Sequence, residues 1–150
     1  MRYREIRSHD SSQIVELLRI LREESPEYNY VDDDPVFVDA NLYSMLLHKQ
    51  MVGVVADRED DIVGFMIGFV VAPWYSRRKE AMEQLLYVEP AFRGTSCAVR
   101  LINEFEQVCR DYGAKVLHVG ASTGMHEDKT VQLYERMGYT KGSPTLKKVL

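Results

Sequence analysis

The segment from Ala81 to Tyr112 constrains this chain more than any other, because it prescribes a strand, a tight turn and a helix in immediate succession. The run from Ala81 to Val88 is largely apolar and ends at Pro90, which cannot donate to a sheet ladder and biases Glu89 towards extended geometry. Beyond the proline come Arg93 and then only small residues: Gly94, Thr95, Ser96, Cys97 and Ala98. From there Val99, Leu101, Ile102, Phe105, Val108 and Tyr112 recur at helical spacing, with Arg100, Asn103, Glu104, Glu106, Gln107 and Arg110 outward. Gly113 offers the left-handed residue that ends such a helix. A small-residue turn leading into a helix exposes unpaired N–H groups at the positive end of the helix dipole. Such a turn suits a phosphate or diphosphate, and Arg93 adds a full positive charge.

The flanking sequence supplies the partners of that unit. Tyr3 to Arg7 reads as a first strand, with N-cap candidates at Ser8, Asp10 and Ser11. A first helix from Gln13 buries Ile14, Leu17, Leu18 and Leu21. The connection from Glu23 to Asp34 is acidic and carries Tyr28 and Tyr30 but no basic residue, so it is either a solvated loop or an attractor of cations. Asp34 and Pro35 form a cap and first turn for a second helix, Pro35 to Lys49. Strands follow at Met51–Ala56 and Ile62–Val71, the second broken by Gly64 and Gly68, around a charged turn that reads as a solvated hairpin tip. Trp74 and Tyr75 either line a groove or pack at an edge. After the central helix come a strand, Ala114–Ala121, a polar loop, a short helix, Lys129–Met137, closed by Gly138, and two extended stretches in Tyr139–Leu150. The order of elements predicts one domain over residues 1–150 with a mixed α/β sheet.

Composition excludes several functions. A net charge of −4 and a pI of about 5.6 disfavour nucleic-acid binding through bulk positive field. No apolar run reaches the roughly 18 residues of a membrane span, and the start of the chain lacks a signal-peptide core, so a cytoplasmic protein is expected. Cys97 and Cys109 fall on one helix, where a rise of 1.5 Å per residue separates them by roughly 18 Å, so free thiols are expected. His9, His48, His118 and His126 have no metal-ligand spacing, and no metal is expected.

The stretch Leu86–Ala98 resembles the acetyl-CoA-binding core of the GCN5-related N-acetyltransferases (GNAT), whose signature is Arg/Gln-x-x-Gly-x-Gly/Ala after a Val-x-Pro strand end. Arg93 matches its first position and Ala98 its last, while Ser96 stands where the family usually has glycine. Thr130–Tyr139 is similar to the family's late motif, Ala-x-x-Leu-Tyr-x-x-x-Gly-Phe, and Glu127 stands in place of a usual asparagine. The C-terminal ending is similar to those of small phage-encoded members.

The resemblance implies a GNAT-like acyl-CoA N-acyltransferase fold with a mixed, mostly antiparallel sheet flanked by helices. It implies acetyl-CoA as co-substrate, its pantetheine arm on Leu86, Tyr87 and Val88 and its diphosphate on Arg93, Gly94, Thr95, Ser96, Cys97 and Ala98. Tyr134 matches the general acid, and Glu83 resembles the position of a catalytic base. His118 is the second candidate base, since an imidazole titrates near neutrality; Ser122 and His126 lie in the loop near the expected thioester. The implied partner is a primary amine, either a small cationic molecule or a protein lysine or N-terminus, and family members often form homodimers. The alternative is a relative that binds CoA or a protein partner without turnover. A kinase-like nucleotide site is disfavoured because Gly-x-x-x-x-Gly-Lys-Ser/Thr is missing.

Overall fold

Alternating and helical apolar patterns meet as a sheet covered on both faces. The computed structural model describes residues 1–28, 34–121, 123 and 125–150. Its elements run β1 (Arg2–Glu5), α1 (Ser11–Glu24), α2 (Pro35–Leu47), β2 (Val52–Arg58), β3 (Asp61–Val71), β4 (Lys79–Val88), α3 (Cys97–Asp111), β5 (Ala114–His118) and α4 (Glu127–Arg136). The strands lie in the order β1-β2-β3-β4-β5. Neighbours are antiparallel except β4 and β5, which are parallel because α3 carries the chain back across the sheet. This is the mixed, mostly antiparallel sheet expected.

The two faces have separate cores. On one, Leu101, Ile102 and Phe105 of α3 are wholly buried against Val54, Met66 and Ala81. On the other, Ile14, Leu17 and Leu21 of α1 meet Val55, Phe65 and Tyr87. Each large apolar side chain so buried contributes about 1.5–3 kcal/mol before entropy is counted. Helix α2 buries only Leu42 and Leu46, in line with its untidy register, and Asp34 caps it by accepting from the Phe37 N–H at 3.0 Å.

A bulge sets the site. Ile67 pairs with Leu85 but Gly68 pairs with Glu83, so Gln84 is the extra residue on β4. The slip inverts the alternation: Leu85 and Tyr87 join the α1 face, while Leu86 and Val88 join Ala81 on the α3 face. Gly68 fits there because a Cβ would run into the Met82 carbonyl. Strand β3 is continuous, and its glycines do not break it as the sequence suggests.

Two expectations need correction. The last strand stops at His118 rather than Ala121, because residues 119–121 leave β4. No strand forms in residues 139–150. Tyr139 packs on the core, but Leu146, Val149 and Leu150 stay exposed. The stretch Thr145-Leu146-Lys147-Lys148-Val149-Leu150 lacks the period-2 apolar set that a buried ladder needs, and Gly142 and Pro144 precede it. Of the acidic connection, residues 29–33 lie outside the described residues.

Candidate active site

Strands β4 and β5 part company at Glu83. Their parallel pairing runs from Lys79↔Ala114 to Met82↔His118 and ends. Beyond it Leu86, Tyr87 and Val88 still pair with β3, so their far edge opens onto a cleft of about 140 Å³. Glu83, Leu86, Val88, Ala98, Gly120 and Leu133 are among its lining residues. A strand edge not paired to another strand is a partner for an extended amide-bearing chain, here once the side chains of Glu83 and Arg93 release the Leu86 N–H and the Val88 carbonyl. The three arm-binding residues inferred from sequence therefore stand at one open edge.

Glu83 sits at the fork. Its Oε2 accepts the Gly120 N–H at 3.1 Å, and its carboxylate also accepts the Leu86 N–H. Burial pushes its pKa up to about 7 against these two amides, which pull it down. A carboxylate poised there holds or releases a proton near neutral pH. The bulge gives Glu83 the face of Leu86 and Val88, on which Tyr134 also packs.

Tyr134 is 4% exposed, and its hydroxyl is buried with no hydrogen-bond partner among the described residues. Its ring packs edge-on against Tyr139, with centroids 5.1 Å apart. Burial raises its pKa, and the negative charge of Glu83 raises it further, so the phenol stays protonated. A buried donor without an acceptor is uncommon and calls for a ligand or a reaction. Glu83 lines the cleft, and Tyr134, in the packed layer beside it, lies close enough to feel the Glu83 charge.

The turn after Arg93 is braced by its own hydrogen bonds. Gly94 adopts φ +76, and a Cβ there would meet nothing within 4 Å, so the loop is open on its outer side. The Thr95 hydroxyl donates to the Phe92 carbonyl at 2.7 Å and accepts the Cys97 N–H at 3.2 Å. Ser96 has φ −74 and ψ 1, which any residue adopts, so serine in place of glycine introduces no backbone strain. Cys97 turns its side chain into the core at 2% exposure, and burial raises its pKa. Only its backbone faces the loop. An open Gly94 turn, the first amides of α3 and the unpartnered Tyr134 hydroxyl fit a diphosphate-bearing thioester.

Arg93 is not the free cation that the sequence suggests. Its Nε donates to the Val88 carbonyl at 2.8 Å, its Nη2 to Glu24 Oε2 at 2.7 Å, and its guanidinium lies 5.4 Å from the Tyr87 ring centroid. Tyr87 in turn donates to Glu24 Oε1 at 3.3 Å, and burial followed by the Glu24 charge pushes its pKa up to about 12. Glu24 is the residue sequence reasoning missed. It closes α1, and only the acidity of the stretch it opens hinted at it.

The remaining candidates divide, with His126 at the cleft and the others away from it or outside the described residues. His118 is exposed and paired with Glu80 at 3.1 Å, facing neither Glu83 nor Tyr134 in its hydrogen bonding. His126, an exposed residue in left-handed geometry that precedes α4, lines the cleft with Glu83 and Leu86. Ser122 lies outside the described residues. Trp74 and Tyr75 are exposed and pack edge-on against each other.

Comparisons with known proteins agree with this fold. The model of the acetyltransferase (GNAT) family matches residues 14–139. The spore coat polysaccharide biosynthesis protein SpsD of Bacillus subtilis (strain 168) is 33% identical over 93 residues, which cover 61% of this chain and 29% of SpsD. The chain thus spans under a third of that curated relative. An aminoglycoside acetyltransferase, meta-AAC0020, from an uncultured soil metagenomic sample superposes with a TM-score of 0.78 at 19% identity, covering 99% of this chain and 94% of its own. A predicted acetyltransferase with acetyl-CoA from Clostridium acetobutylicum superposes with a TM-score of 0.76 at 14% identity, covering 99% and 95%. At these identities the two structures speak to the fold. The likeness of the C-terminal ending to phage-encoded members finds no support among them.

Proposed function

Since the chain belongs to the acetyltransferase (GNAT) family, we propose that it transfers an acetyl group from acetyl-CoA to a cationic primary amine by direct transfer at the β4–β5 fork. The observation that carries this reading is a carboxylate with a pKa of about 7 lining a cleft beside an open strand edge, with an unpartnered phenol buried next to the cleft and close enough to feel its charge. Bound acetyl-CoA would supply the activated acyl thioester. Leu86 and Val88 would hold its arm by their outward backbone groups, and the Gly94–Ala98 turn would hold its diphosphate.

Glu83 takes a proton from the incoming ammonium, because only a neutral amine has the lone pair that attacks. Tyr134 would pass its proton to the departing thiolate as it takes the second proton shed by the acylated nitrogen, so the phenol ends neutral and the amide and free thiol are formed; the buried phenol has no other described partner. Holding both reactants in one cleft lowers the barrier further by orientation alone. The positive charge of the acceptor is supported by the sequence of the connection from Glu23 to Asp34, which is acidic and carries no basic residue. The acetyl-CoA of the Clostridium neighbour supports the choice of donor.

Replacing Tyr134 with Phe tests the reading. Turnover with a screened amine is expected to fall by about 10²-fold or more, with acetyl-CoA affinity by calorimetry unchanged within about twofold. Binding of acetyl-CoA without turnover of any amine by the wild type would instead identify a binding module.

A further inference from the structure

Arg93 stands between two tasks. In the structure it is folded back over the end of β4, bonded to the Val88 carbonyl and to Glu24, with both side chains of the pair about a quarter to a third exposed. The Val88 carbonyl lies on the open edge, and the small-residue turn that favours an anion begins at the next residue, Gly94. Arg93 lines the cleft, but its guanidinium is committed to Glu24 at the end of α1 rather than to an anion over that turn. A diphosphate carries more negative charge than one carboxylate and accepts from several donors at once, so it is the stronger partner.

We propose that Arg93 is an exchangeable group, held by Glu24 in the free protein and given up to the donor's diphosphate on binding, so that Glu24 is the residue that sets donor affinity. The inference rests on the donor site proposed above. On exchange, Glu24 keeps, among the described residues, the Tyr87 hydroxyl, and the Val88 carbonyl becomes free for the donor's arm. Leaving a half-buried carboxylate without its cation is unfavourable, and that cost opposes donor binding. Removing the Glu24 charge therefore strengthens binding. The opposite sign follows if Arg93 keeps Glu24 while using its other N–H groups on the diphosphate, because Glu24 would then be holding Arg93 in place.

Calorimetric titration of the full chain with CoA decides between these. Arg93→Ala is expected to weaken binding about tenfold, which is about 1.4 kcal/mol. Glu24→Gln is expected to tighten it about five- to tenfold, and to change it by less than twofold in the Arg93→Ala background. Glu24→Asp, which retains a carboxylate but shortens its reach, serves if the glutamine variant fails to fold and is expected to tighten binding two- to threefold. Weaker binding in the Glu24 variants, with Arg93→Ala also weaker, overturns the exchange and leaves the donor site standing. No CoA binding by any variant, with melting temperatures unmoved by CoA, overturns the donor site and the exchange together.

Discussion

Asp57 and Glu83 are both carboxylates withdrawn into the sheet, and the fold treats them in opposite ways. Asp57, 2% exposed at the end of β2, accepts from Arg2 Nη2 at 2.5 Å, Arg4 Nε at 2.8 Å and the Asp60 N–H at 3.0 Å. Arg4 also grips Asp10 at 2.8 and 2.9 Å. Hydrogen bonds from these arginines hold the Asp57 carboxyl well below the usual carboxylate range. Glu83 has two backbone amides and, among the described residues, no cation as a partner, so burial wins and its pKa rises. A carboxylate locked in its charged form by two arginines ties strands together; one left near neutrality beside a cleft is free to exchange a proton.

Two substitutions sharpen the contrast. Glu83→Gln keeps the shape and both amide contacts but removes the proton acceptor, so turnover is expected to fall about 10²- to 10⁴-fold with melting temperature held or raised. Steady-state kinetics beside a thermal melt measures both, and retained turnover would remove Glu83 from the reaction. Asp57→Ala is expected to do the reverse. It strands Arg4 half-buried beside a lost partner and should cost about 3–5 kcal/mol of stability, read by denaturant titration, while the protein that stays folded keeps its turnover.

The two carboxylates also predict opposite pH dependence. For Asp57 the folded value lies below the unfolded one, so its contribution is present above about pH 3.9 and is lost as pH falls towards the folded value. For Glu83 the folded value is above the unfolded one of about 4.3, so the fold binds the extra proton and its contribution declines as pH rises from there to about 7. Melts across pH 4 to 8 are expected to show a decline that Glu83→Gln abolishes. Turnover should climb through the same range as the base ionises, and a pH-independent rate would break the comparison.

Much of this was legible in the sequence, and the failures have physical reasons. The strand–turn–helix at Ala81–Tyr112 could be read because Pro90, Gly94 and the helical spacing act locally. Glu83 and Tyr134 were found by resemblance, but their meeting depends on the Gln84 bulge, which no local pattern announces. Asp57 looked like part of a solvated hairpin tip, because its partners Arg2 and Arg4 lie more than fifty residues away. The same separation hid Glu24 from Arg93, 69 residues on, and turned the anticipated free cation into a paired one. Ser96 stands where the family usually has glycine, and its dihedrals show that the turn places its demand for a positive φ on Gly94 instead.

A third carboxylate sets the scale for the other two. Glu80 stands on β4 three residues before Glu83, and its partner is a histidine, His118, at 3.1 Å. The His118 side chain is 54% exposed, so water screens the pair and competes for both groups. Exposed pairs contribute about 0–1 kcal/mol, and Glu80→Gln and His118→Asn should each move stability by no more than that. Turnover is the more telling readout. If the fork at Glu83 carries the proton transfer, both variants should keep it within about twofold, because Glu80 and His118 lie on the still-paired stretch of β4 and β5. A loss of tenfold or more in His118→Asn, with Glu83→Gln milder, would move the base from the buried carboxylate to the exposed imidazole. The withdrawn position of Glu83 would then be a matter of packing alone.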